Sequence, residues 1–147
     1  MMERLVKMED SQYSYLNTLV ASNSEGIITG ILVAYDGARL KELRRQFIKE
    51  AIVSFGIDYS AMDAETEAGE FYLDSLAVSS SFRGKGIAKQ LLAAAIEKAR
   101  ELGIPKVGLL VDKGNPRAEK LYASIGFKYV NDTVWGGHGM RHLQYTI

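Results

Sequence analysis

SSFRGKGIAKQLLAAAIEKARELG, residues Ser80–Gly103, decides how the chain is read. From Ala88 onward apolar residues recur at Leu91, Leu92, Ala95, Ile96, Ala99 and Leu102, which is the spacing of a wide stripe on an α-helix. Gly103 supplies the left-handed residue that stops it. The helix is therefore expected to begin near Ile87, immediately after a corner that packs Arg83, Gly84, Lys85 and Gly86 together. The first turn of a helix has unpaired backbone N–H groups and carries the positive end of the helix dipole. Glycines let an anion approach that backbone closely, and Arg83 and Lys85 add charge, so the corner fits a pyrophosphate. On the glycines alone, a surface turn with solvated cations fits equally well. A Walker loop is excluded, because Gly86 is followed by Ile87 and Ala88 and no hydroxyl is placed for magnesium. A dinucleotide fingerprint starting at Gly84 and Gly86 meets Lys89 where its third glycine belongs.

Before the corner, EFYLDSLAV (Glu70–Val78) reads as a strand; after the helix, KVGLLV (Lys106–Val111) is almost wholly apolar, as in a strand covered on both faces. Strand, helix and strand form a right-handed crossover between parallel neighbours. A second helix follows in NPRAEKLYASIG, with Asn115 as N-cap, Pro116 at the first helical position and Gly126 as terminator. The carboxyl end reads as a hairpin turning at WGGHG. On the amino side, Met1–Met8 is read as the end of a helix, and YLNTLVAS and GIITGILVAYDG flank NSEG as a hairpin. A helix with a solvated basic face is expected from about Ala38 to Phe55, and an acidic loop from Gly56 to Gly69. No repeat or linker interrupts the chain, so one domain spanning 1–147 is expected.

The 147 residues are 47% hydrophobic, enough for a sizeable core, and carry 18 basic against 18 acidic side chains. That balance gives no global field to draw nucleic acid or an anionic membrane surface. The absence of cysteine removes thiolate catalysis, disulfides and cysteine metal clusters. His138 and His142 lie four apart without an evident third ligand, and no metal is expected. No apolar run approaches the roughly 18 residues of a membrane span, and the amino terminus lacks a secretory core, so a cytoplasmic location is expected.

Arg83, Gly86 and Ala88 form R-x-x-G-x-A after a strand ending LAV, and Asn115, Ala118, Tyr122, Gly126 and Phe127 form N-x-x-A-x-x-x-Y-x-x-x-G-F. In order and spacing the two motifs resemble those of the GCN5-related N-acetyltransferase (GNAT) superfamily, most specifically over Leu73–Phe127. The resemblance implies an α/β (α+β) fold with a mixed, splayed central β-sheet and helices on both faces. It also implies an N-acetyltransferase that moves an acetyl group from acetyl-CoA to a primary amine by direct attack in a ternary complex. The alternative is an inactive acyl-CoA-binding module of the same fold. The acceptor would be a small-molecule or peptide amine, with no nucleic acid or membrane partner, and a homodimer is compatible with the chain. Two departures stand out. About thirteen residues precede the first strand, so the amino-terminal elements are read as shortened, and a helix with an acidic loop, about 38–69, is inserted where relatives have a short turn.

Carried onto this chain, the resemblance implies that backbone groups of Leu76 and Val78 pair with the pantetheine arm, with Ala77 between them among the coenzyme-binding positions. Arg83, Gly84, Lys85, Gly86, Ile87 and Ala88 surround the pyrophosphate, and Asn115 and Ala118 flank the arm. Tyr122 stands at the position of the general acid. For the base, strand alternation puts Tyr72, Asp74, Leu76 and Val78 on one face and Phe71, Leu73 and Ala77 on the other, unless a bulge flips them. Asp74 is the first candidate, and Glu70 acting through water the second. Asp58, Asp63, Glu65, Glu67 and Glu70 are read as an acidic rim, with Trp135 as a wall, favouring a cationic amine.

Overall fold

The computed structural model describes residues 1–147. Its elements run α1 (Met2–Lys7), β1 (Thr18–Ser22), β2 (Ile28–Asp36), α2 (Leu40–Phe55), β3 (Glu70–Val78), α3 (Ile87–Leu102), β4 (Lys106–Asp112), α4 (Pro116–Ile125), β5 (Lys128–Trp135) and β6 (His138–Thr146). One mixed six-stranded sheet is ordered β1-β2-β3-β4-β6-β5. The hairpins β1–β2 and β5–β6 are antiparallel, β2–β3 and β4–β6 likewise, and β3–β4 is parallel. No helix is long and apolar enough to cross a membrane.

Both faces carry helices, as expected. On one, Leu91, Leu92, Ala95, Ile96 and Ala99 of α3 bury against Leu32, Ala34, Phe71, Leu73, Val107, Leu109 and Leu143, and Ala118, Leu121 and Ile125 of α4 pack on the same cluster. On the other, Leu40 and Leu43 of α2 pack against Tyr35 and Tyr72. Burying a large apolar side chain is worth about 1.5–3 kcal/mol, so these two clusters fix which face each helix takes.

Two irregularities in β3 shape the site. Its parallel pairing with β4 covers only Glu70↔Lys106, Phe71↔Val107 and Tyr72↔Gly108, after which the strands part. On its other side the register with β2 slips, Val33 facing Ser75 but Ala34 facing Leu73, which leaves Asp74 as an extra residue in β3. This bulge corrects the simple alternation: beyond it Leu76 packs against the α3-side cluster with Phe71 and Leu73, not with Tyr72.

Candidate active site

Beyond Tyr72, β3 runs on beside β2 without β4, and a cleft of about 820 Å³ opens there. Leu76, Ala77 and Val78 form one wall, Arg83, Gly84, Gly86, Ile87 and Ala88 the floor, and Asn115, Ala118, Leu121 and Tyr122 the opposite side. Ten of the eleven positions expected to hold the coenzyme line this cleft. Lys85, the eleventh, has its ammonium 5.4 Å from the centre of the Phe82 ring.

The corner's backbone is set up for an anion. Gly84 and Gly86 have φ of +76° and +79°, conformations that side chains resist, and a Cβ at either would meet no protein atom. Gly86 is the N-cap of α3 and offers no capping side chain, so the first-turn N–H groups have no partner within the protein. The Arg83 Nε donates to the Val78 carbonyl at 3.3 Å, tying the corner to the strand that precedes it. Amides with no partner in the protein, the Arg83 guanidinium and a slot beside a free strand edge have the chemistry that an acyl-CoA requires. Asn115 is committed as a cap, its Oδ1 accepting the Ala118 N–H at 3.2 Å.

At the fork, a small cavity of about 40 Å³ is lined by Leu73, Asp74, Ser75, Leu76, Leu92, Leu109, Leu110 and Tyr122. Asp74 and Tyr122 thus share one cavity. Tyr122 is held edge to face with Phe127, ring centres 6.0 Å apart, and burial raises its pKa. Burial also raises that of Asp74, against hydrogen bonds from Ser75 Oγ at 2.8 Å, Tyr35 Oη at 3.0 Å and Gln12 Nε2 at 3.4 Å.

Glu70 lines neither cavity. It is 2% exposed, bonded to His142 Nε2 at 2.6 Å and accepting from Gln144 Nε2 at 2.7 Å and Thr66 Oγ1 at 2.8 Å. Burial pushes its pKa up, the three donors outweigh that, and the net direction is down. A Cβ at position 108 would overlap this carboxylate, which accounts for Gly108. The expected acidic rim is corrected at Glu65 and Glu70 alone, which are buried. Asp58, Asp63 and Glu67 are exposed, but Glu65 is 8% exposed and joined to Arg44 at 2.6 Å. Arg44 is itself 8% exposed, so the face of α2 read as solvated contributes one cation to the interior.

Sequence reasoning missed Gln12, Tyr35 and Arg44. Arg44 carried a signal: it stands four residues after Leu40 and three before Phe47, inside the apolar stripe. Gln12 carried none, since the burial of the 11–14 segment depends on distant packing.

The acetyltransferase (GNAT) family model matches residues 48–127. The chain belongs to the GNAT acetyltransferase family. It is 34% identical over 101 residues to a ribosomal protein bS18-alanine N-acetyltransferase of Haemophilus ducreyi, a match covering 69% of this chain and 65% of that enzyme. It is 33% identical over 113 residues to acetyltransferase Atu2258 of Agrobacterium fabrum, covering 76% of this chain and 81% of that one. Among solved structures, the crystal structure of an acetyltransferase superposes with a TM-score of 0.82 at 34% identity, over 97% of this chain and 76% of the other.

Proposed function

We propose that the protein is an acetyl-CoA-dependent N-acetyltransferase acting on a primary amine by direct attack in a ternary complex. The observation that carries this reading is that Asp74 and Tyr122 line one cavity at the fork of β3 and β4, where the larger cleft ends.

Bound acetyl-CoA supplies an activated acetyl carbonyl and a sulfur leaving group. The free amides from Gly84 to Ala88, with Arg83, hold its diphosphate, and the backbone of Leu76–Val78 pairs with its arm. A backbone N–H of that strand end polarises the acetyl oxygen, a kind of contact worth about 3 kcal/mol per donor. The acceptor arrives as an ammonium, which cannot attack. Asp74 takes its first proton, and the amine nitrogen then forms the C–N bond as the C–S bond breaks. Tyr122 gives its hydroxyl proton to the departing sulfur and is restored by the second proton lost from nitrogen. One proton ends on the thiol and one reaches solvent through Asp74. Glu70, fully engaged by its own donors, is left out of this scheme.

An amine acceptor is supported by the Haemophilus relative, named for an alanine of a ribosomal protein. The pairing of Asp74 with Tyr122 at the fork supports an enzyme over a silent acyl-CoA binder.

A coenzyme A release assay against a panel of amines and amino-terminal peptides tests the proposal. The chain has no cysteine, so a thiol reagent sees only released coenzyme. Turnover with at least one acceptor is expected, falling about 10²-fold or more in Tyr122→Phe and Asp74→Asn. Gly86→Glu should lose acetyl-CoA binding. Binding of acetyl-CoA without release to any acceptor would leave a binding module, and no binding at all would end the assignment of the cleft.

A further inference from the structure

A second carboxylate stands behind Asp74. Tyr35 Oη lies 3.0 Å from Asp74 Oδ2 and 3.3 Å from Glu65 Oε1, and Gln12 Nε2 lies 3.4 Å and 3.5 Å from the same two oxygens. Tyr35 has one hydrogen to donate, so it serves one carboxylate at a time. Gln12 also donates to Tyr35 Oη at 3.1 Å, so the bridge has three hydrogens for five contacts and, while Gln12 serves Tyr35, gives each carboxylate oxygen one at most. The two ends differ. Glu65 Oε2 accepts from Arg44 at 2.6 Å. Asp74 has only the Ser75 hydroxyl besides the bridge.

We propose that Asp74 and Glu65 are one proton-sharing pair bridged by Tyr35 and Gln12, in which Arg44 fixes negative charge on Glu65 so that the exchangeable proton belongs to Asp74. Glu65 is then a positioning residue for the base, supplied by the loop between α2 and β3. This rests on Asp74 being the base, as proposed above. A carboxylate beside another carboxylate holds a proton more tightly, and one beside an arginine less tightly. Glu65 therefore strengthens Asp74 as a base, and Arg44 limits the effect so that Asp74 still gives up its proton between turnovers. The remaining titratable groups facing the pair are Tyr13, Tyr35 and Tyr72, all held neutral by burial. Burial raises the pKa of both carboxylates, and at Glu65 the charge of Arg44 is the main effect opposing it.

The test is the pH dependence of kcat/KM with one acceptor, so that the acceptor's own ionisation is common to every variant. Glu65→Gln removes the like charge and frees Arg44 towards Asp74. The acid-side midpoint should fall by about one pH unit, with a lower plateau from the weaker base. Arg44→Gln should move the midpoint up by a similar amount, and Tyr35→Phe should also move it up, because a donor to ionised Asp74 is lost. Loss of activity with unmoved midpoints in all three would mean support of the fold and nothing more, overturning the pair. If the variants fold poorly, ¹³C-carboxyl titration of the unmodified protein decides: a coupled pair gives both residues the same two midpoints, and independent groups give each its own single midpoint. Should Asp74→Asn leave turnover intact while the carboxyls titrate together, the base assignment fails and the pair stands. Should Asp74→Asn abolish turnover while Glu65→Gln leaves the midpoint in place, the reverse holds.

Discussion

Glu70 and Asp74 lie four positions apart on β3, and their surroundings drive their protons in opposite directions. At Glu70 three donors outweigh burial, the folded pKa lies below the unfolded one, and the ionised side chain stabilises the fold. That stabilisation is present above the unfolded value of about 4.3 and is lost as pH falls through the folded value. Asp74 is the reverse: burial outweighs its donors, so folding binds its proton more tightly, and its ionisation costs stability as pH rises through the raised value. Thermal melts from pH 4 to 8 should separate the two. Asp74→Asn is expected to raise Tm at neutral pH while turnover collapses, the gain shrinking as pH falls towards the carboxylate range. Glu70→Gln should lower Tm at neutral pH, because His142 and Gln144 lose a charged acceptor. A buried pair broken on one side costs about 3–5 kcal/mol, less here in proportion to the hydrogen bonds that glutamine keeps. A Tm that rose in Glu70→Gln would contradict the structural role given to that residue. Gly108→Ala should destabilise by about 1–3 kcal/mol, since its methyl group needs the space that the Glu70 carboxylate fills.

Among the elements, the junction of β3 and α3 was the most legible, because everything that defines it is local. The apolar stripe, the glycines with positive φ and the uncapped helix start lie within one run of sequence, and the same is true of α4 between Asn115 and Gly126. The bulge at Asp74 was not legible. Alternation reads one strand alone, whereas a bulge exists only in the pairing of two, so Leu76 was assigned to the wrong face. Arg44 was misread for a related cause: helical period says which side of α2 faces the sheet, but not that Glu65, twenty-one residues on, returns to meet a cation there. Gln12 joins the site from a segment with no periodicity at all. The junction carries its own prediction. Gly86→Ala forces a left-handed residue with a Cβ, a conformation that costs about 1–2 kcal/mol, and the chain escapes it by moving the amides that face the cleft. Calorimetric titration with coenzyme A should show weakened binding, while Gly103→Ala at the far end of α3, with a φ of +71°, should lose comparable stability and leave affinity unchanged. Equal affinity in both variants would mean that the corner does not hold the diphosphate.

Across the whole molecule, the parting of β3 from β4 turns a continuous sheet into two half-sheets joined at Glu70–Tyr72. Pairing resumes fully on either side, β2 with β3 through Val78 and β4 with β6 along its whole length, so the gap is an interior edge and not the frayed end of a sheet. Exposed edges normally invite another strand, and under the proposed function that strand is a slender chain bearing amides and no side chains. The cleft lies on the α3 side with Tyr122 in its lining, and the cluster holding Asp74 and Glu65 extends to the α2 side, so under the proposed function the sheet separates the coenzyme from the carboxylate pair and lets them meet at the fork. Coenzyme A should then act as a missing strand. Hydrogen exchange with saturating coenzyme should slow at Leu76–Val78, at Gly84–Ala88 and at the start of α4, with little change in β1 or in the β5–β6 hairpin. At a concentration one hundred times Kd the complex gains about 2.7 kcal/mol of global stability, which also slows exchange in the core and must be subtracted with a ligand-free reference matched for stability. Protection confined to the corner, with the Leu76–Val78 amides exchanging as before, would show that the diphosphate binds but the arm does not pair with the open edge, and the fork would lose its claim to the acetyl group.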